Sequence, residues 1–255
     1  MTHFIDFSRK FHNLFIVTRQ SLQISNHSFM NLKSLFPREA ARLFALVILS
    51  GVWCVLLWFL RAWRTDSSQY FFFVYNLALA FIPLALSLVA VRIQNRKLFV
   101  PVMILWLLFF PNAPYLLTDL IHLRPKTDAP FWFDWIFMIS YAGTGFLTGC
   151  YSLLLIHRRL IQWFGTLKAW VAVIGILCLS SFGIYLGRFP RWNSWDIATR
   201  PGDFFMDVFT RFTAPLEHPI LFTYTPSLAF LLIIGYLAVA GGWLRDSVPV
   251  KCEAR

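Results

Sequence analysis

The chain has 255 residues, of which 58% are hydrophobic and only 14% charged, and its mean hydropathy is +0.62. A soluble domain averages about 45–50% apolar and about 25% charged residues, so an ordinary water-soluble globule is excluded in favour of a polytopic α-helical membrane protein. The net charge of +11 does not imply nucleic acid as a partner, because no basic stripe alternates with stackable aromatics; Lys and Arg also gather on cytoplasmic loops and beside anionic headgroups.

Residues 1–42 hold no run long enough to span, and lack the short apolar core and small-residue cleavage site of a signal peptide. Phe4, Phe7, Phe11, Leu14, Thr18 and Leu22 recur at helical spacing, with Arg9, Lys10, Asn13 and Arg19 on the other sides. That pattern reads as a basic amphipathic helix in the interface. The polar run after it (Ser21, Ser25, Asn26, Ser28, Asn31) fits a disordered extension as well.

Residues 43–244 form the membrane domain. A crossing needs about 20 apolar residues, and six runs qualify: Leu43–Leu60, Tyr70–Val91, Leu98–Leu117, Phe131–Ile156, Ala169–Gly187 and Ile220–Leu244. The expected fold is an all-α, six-span bundle with the third span broken near Pro111–Pro114. No internal repeat suggests a duplicated transporter half. Residues 245–255 are a tail. Segments 1–42, 92–97, 157–168 and 245–255 hold 15 of the 23 Lys and Arg, and the alternate loops hold 8. Positive charge marks the cytoplasmic side, so both termini are expected there. The loops after spans 1, 3 and 5 then face outward. Spans 4 and 5 carry Gly145-x-x-x-Gly149 and Gly183-x-x-x-Gly187, spacings that let helix backbones approach closely in lipid.

Two polar stretches sit on the outward side. In Pro111-Asn-Ala-Pro114, the proline ring and missing amide hydrogen stop a straight helix. Asn112 is a good N-cap and Pro114 suits a first turn, so a new helix is expected there. Tyr115, Thr118, Asp119 and His122 then share one face, being three and four apart. The stripe fits an interfacial helix meeting water, or a site in which Asp119 and His122 act as an acid/base pair. Metal is not assigned, since Asp-x-x-His lacks the three protein ligands a zinc site needs without help from Asp128, Asp134, Asp196 or His218. Asp134, in the first turn of span 4 between Trp132 and Trp135, fits a carboxylate on a helix dipole or a functional ionisable group in the membrane.

The second stretch is Gly187-Arg-Phe-Pro-Arg-Trp-Asn-Ser-Trp-Asp196. Arg188 and Arg191 have the fork geometry for phosphate. Trp192 and Trp195 suit headgroup depth or stacking on a ligand, while Asn193 and Asp196 point to a polar cluster beyond a plain lipid anchor. Pro201-Gly202 makes a turn, Asp203 caps a short amphipathic helix, and Asp207 and Arg211 pair at i,i+4. Cys54, Cys150, Cys178 and Cys252 show no paired spacing; they read as buried hydrophobes.

Leu108–Leu123 together with Gly183–Asp196 resembles a bacterial membrane-protein family, domain of unknown function 1361, over about residues 70–240. Asn112, Pro114, Tyr115, Asp119, His122, Gly187, Arg188, Arg191, Trp192, Asn193 and Asp196 match the residues that characterise it. The resemblance implies a bacterial inner-membrane setting and carries no activity and no cofactor. The expectation is an outward polar pocket for a lipid or lipid-linked phosphate-bearing ligand. Asp119, His122 and Asp196 are its candidate catalytic groups. Asn112, Tyr115, Asp134, Arg188, Arg191, Trp192, Asn193 and Trp195 are its candidate binding groups. A small-solute or ion transporter and a non-catalytic envelope assembly protein are the alternatives. Protein partners are not legible.

Overall fold

The computed structural model describes residues 38–124 and 129–245, and the described residues are helical with no strand. The helices are α1 (Arg38–Thr65), α2 (Phe71–Ala90), α3 (Arg96–Phe109), α4 (Asn112–Thr118), α5 (Phe131–Phe164), α6 (Thr166–Arg188), α7 (Asp196–Thr199), α8 (Pro201–Thr213) and α9 (Pro219–Arg245). A 3-10 turn, Asp119–His122, continues α4. Six crossings are long and apolar enough to span a membrane among the described residues, with α3, α4 and the turn making up the third. Large side chains such as Leu49, Phe59, Val171 and Phe230 stay outward on these helices, a surface for lipid rather than water. The protein is a multi-pass membrane protein with an all-α bundle. The expected N-terminal amphipathic helix, the tail after Arg245, Asp128 and Cys252 lie outside the described residues.

Helix α5 is the post around which the others stand. Its 34 residues extend roughly 51 Å at 1.5 Å each, longer than the ~30 Å hydrocarbon layer. Trp106 Nε1 donates to Ser152 Oγ at 2.8 Å, and Ser152 Oγ donates to the Pro83 carbonyl at 2.9 Å, tying α3, α5 and α2. The sequence reading ended this span at Ile156, before His157-Arg158-Arg159. The helix runs on to Phe164, and some of those polar groups find partners within the protein: His157 Nδ1 bonds Tyr236 Oη at 2.9 Å, and Arg159 Nη2 donates to the Ile93 carbonyl just past α2.

The two glycine faces grip the broken third span from either side. A Cβ on Gly145 would lie 2.5 Å from the Ala113 carbonyl oxygen, and one on Gly149 3.3 Å from the Ala113 Cβ. On α6, a Cβ on Gly183 would come within 2.9 Å of the Pro111 ring, and one on Gly187 within 3.3 Å of the Tyr115 ring. The break therefore sits where α5 and α6 are stripped of side chains. Asn112 is not the cap of α4: it is the first helical residue, and its Nδ2 donates to the Phe109 carbonyl at 2.9 Å. An amide side chain thus serves a carbonyl near the break, where proline supplies no N–H.

Candidate functional site

The ends of α1, α3–α4 and α6 and the starts of α2, α5 and α9 gather at one end of the bundle, with α7 and α8 laid across it. There the two polar stretches meet. Arg188, in the last turn of α6, bonds Asp119 Oδ1 at 2.6 Å and Thr118 Oγ1 at 2.5 Å through Nη2. Its Nη1 lies 3.3 Å from His122 Nε2, and its guanidinium stands 4.5 Å over the Tyr115 ring. Asn76 on α2 donates to the other Asp119 oxygen at 3.0 Å. The carboxylate, 1% exposed, is thus held by an arginine and an amide, the partnering that makes a buried charge tolerable. His122 is exposed, with its ring edge-on to Phe72. A second tie runs through Asn112, which donates to Ser194 Oγ at 3.4 Å, while Ser194 Oγ donates to the Leu108 carbonyl at 3.1 Å.

After Arg188 the chain reverses sharply. Arg191 takes a left-handed backbone, φ +64°, and the Trp192 amide closes onto the Leu186 carbonyl at 3.0 Å. Asp196 then organises the loop from within. Its Oδ2 accepts from the Asn193 backbone N–H at 2.8 Å and Nδ2 at 3.1 Å, and its Oδ1 accepts from Arg200 at 3.2 Å. Those bonds, the backbone amide first, hold its carboxyl below the ordinary range against a smaller upward effect of burial. Trp192 donates to Asp207 at 2.8 Å, fastening the loop to α8. Arg211 grips Asp207 through Nε and Nη2, both 2.9 Å, and donates from Nη1 to Tyr185 Oη at 2.9 Å. Burial alone would raise the Asp207 carboxyl; the Arg211 and Trp192 bonds outweigh it and bring it below the ordinary range. Asp203 is in the first turn of α8, which Pro201 opens; the residue before the helix is Arg200, so Asp203 does not cap it.

The open space at this end lies beside α6, α8 and α9. It is a recess of about 190 Å³ lined by Tyr185, Pro190, Arg211, Glu217 and His218. Arg211 spends three of its five N–H groups on Asp207 and Tyr185, which leaves two donors. Arg191 follows Pro190 in the chain; among the described residues its exposed side chain makes no hydrogen bond or ion pair. Among the described residues no three His, Cys, Asp or Glu side chains converge as metal ligands.

The chain matches the model of a family described as protein of unknown function (DUF1361) across residues 75–234. It belongs to that family. No curated protein and no solved structure matches it. Within this DUF1361 member, Asn112, Tyr115, Asp119, His122, Arg188 and the loop carrying Arg191, Trp192, Asn193, Trp195 and Asp196 come together at one end. Trp195 is exposed there and Trp192 half-buried. Asp134 stands apart: it faces α1, where Arg61 Nε donates to it at 2.8 Å with both side chains 1% exposed, and Arg61 lies 4.2 Å from the Tyr70 ring centroid. Sequence reasoning missed Arg61, counting it with a loop. It also missed Tyr185, and it placed Arg211 only in its helix pair. An arginine just past the apolar run of span 1 and an aspartate in the first turn of span 4 lie at the same end, a signal that would have paired them.

Proposed function

We propose that this family member is a bacterial inner-membrane protein with cytoplasmic termini, whose outward end binds the phosphate of an amphipathic ligand, a lipid or lipid-linked sugar. The Lys and Arg bias of the loops supports the orientation. The observation that carries the reading is the recess beside Arg211 and His218, whose lining residue Pro190 is followed by an exposed Arg191 that is unpaired among the described residues. Arginine N–H groups suit phosphate oxygens, and the exposed Phe205, Met206 and Phe209 of α8 would meet the acyl part at the interface. Arg188 serves this reading indirectly: committed to Asp119, it fixes the end of α6 from which the Arg191 turn departs. Asp119 is covered, so His122 is the group of the acid/base pair that a ligand can reach. Asp196 and Asn193 act by shaping the loop.

The test is native mass spectrometry and lipidomics of protein extracted with its lipids, comparing the wild type with Arg191→Gln and His218→Gln. A phosphate-bearing species that copurifies with the wild type and is depleted in both variants is expected. Identical lipid complements in all three would overturn the reading.

A further inference from the structure

Among the described side chains, the opposite end of the bundle carries charge of one sign. Every carboxylate with a described side chain (Asp66, Asp119, Asp134, Asp196, Asp203, Asp207 and Glu217) lies at the α6 C-terminal end or in the segments laid across it. The other end presents Arg92 from the α2–α3 turn, Arg96 and Lys97 from the start of α3, Arg159 from α5 and Lys168 from α6. Among the described residues, Arg96, Lys97 and Arg159 form no ion pair with a carboxylate. Two of them converge on one indole: the Arg159 guanidinium carbon lies 4.6 Å from the Trp163 ring centroid and that of Arg96 5.4 Å from it, while Phe99 packs edge-on to the same ring at 4.5 Å. Arg159 is buried. It donates to the Ile93 carbonyl and to Gln162, yet its Nε–H is buried with no acceptor among the described residues.

Two guanidiniums sharing one ring repel each other, and on the side of the buried Arg159 little water is left to screen them, while Arg96 stays exposed. Stacking on Trp163 offsets part of that cost but brings no negative charge. An anion beside Arg96, Lys97 and Trp163 would supply it, and Trp at a helix end marks headgroup depth. Basic clusters between transmembrane helices at this level suit anionic phospholipid headgroups. We infer that the start of α3 and the last turns of α5 form a binding site for the headgroup of an anionic phospholipid, with Arg96, Lys97 and Arg159 around Trp163 as its cationic wall. The site is separate from the recess at the other end and independent of what binds there.

The experiment uses the full chain in neutral detergent, titrated with phosphatidylglycerol or phosphatidylcholine and read by native mass spectrometry as lipid retained per protein. Wild type is expected to retain phosphatidylglycerol in preference to phosphatidylcholine. Each removed charge should weaken retention by about fivefold, so Arg96→Gln with Lys97→Gln should weaken it about 25-fold and leave phosphatidylcholine unchanged. Arg64→Gln, an exposed arginine in the last turn of α1 at the far end, should retain phosphatidylglycerol as wild type does. Salt gives a reading without any substitution: the phosphatidylglycerol preference should fall as ionic strength rises from about 0.01 to about 0.5 M. Equal retention of the two lipids by wild type, a preference indifferent to both salt and the double substitution, or full displacement of the lipid by millimolar inorganic phosphate would overturn the inference.

Discussion

Arg188 and Asp119, 69 positions apart, close at 2.6 Å with the carboxylate 1% and the arginine 13% exposed. The pair locks the restarted third span to the end of α6. Removing one partner of a buried pair leaves an uncompensated charge and costs about 3–5 kcal/mol, whereas replacing both by apolar groups is often close to neutral. Arg188→Met is therefore expected to lower stability by about that amount, and Arg188→Met with Asp119→Leu to recover most of it. Thermal unfolding in nanodiscs reads both. A single variant as stable as the wild type would mean that the pair does not hold the two stretches.

The glycine faces predict a position-specific penalty. Gly145→Ala would set a methyl 2.5 Å from the Ala113 carbonyl, a backbone atom that cannot swing aside. Overpacking of this kind costs about 1–3 kcal/mol. Gly143→Ala, two residues away, meets open space, and alanine is the better helix former by about 1 kcal/mol. Gly145→Ala should therefore lower the unfolding temperature while Gly143→Ala holds or raises it. Equal effects at the two positions would argue against the close approach of α4 and α5.

The apolar runs made the six crossings and the third-span break legible before any coordinates, because hydrocarbon demands about 20 apolar residues per crossing and proline cannot continue a helix unperturbed. The Gly145 and Gly183 spacings were readable as contact faces; that both grip one break was not, since small-residue spacing does not name its partner. The end of α5 was misplaced for a similar reason. His157 and Arg159 look like loop charges until Tyr236 and the Ile93 carbonyl are seen beside them. Asp134 offered a helix-dipole reading that is locally sound, yet its partner Arg61 is 73 positions away, beyond any local periodicity. The recess shares this limit, being assembled from α6, α8 and α9.

Arg191 separates stability from binding. A left-handed backbone, φ +64° here, costs a non-glycine residue about 1–2 kcal/mol and glycine little. Arg191→Gly should therefore stabilise the loop by up to about 1 kcal/mol while depleting the copurifying phosphate-bearing lipid. Sparsely populated conformations of this type persist where function offsets their cost. A variant that is both more stable and full in its lipid complement would reduce Arg191 to a turn residue.

The loop over this end should respond to acid. The Asp196 and Asp207 carboxyls are both held below their ordinary range in the folded protein, Asp196 chiefly by the Asn193 backbone N–H, and Asp207 by Arg211 and Trp192 against the larger opposing effect of burial. Groups with a depressed folded value contribute stability that is complete above the unfolded value, about 3.9 for Asp, and lost as pH falls through the folded one. Residues 192–213 should thus stay fastened from neutral pH down to about 4 and loosen below it, while the α5 core holds. Hydrogen exchange corrected for intrinsic rates should show protection in 192–213 dropping below about pH 4. Asp196→Asn with Asp207→Asn should lower that protection already at pH 7 and flatten its acid dependence. Acid loosening of equal size in the double variant would assign the transition to other groups.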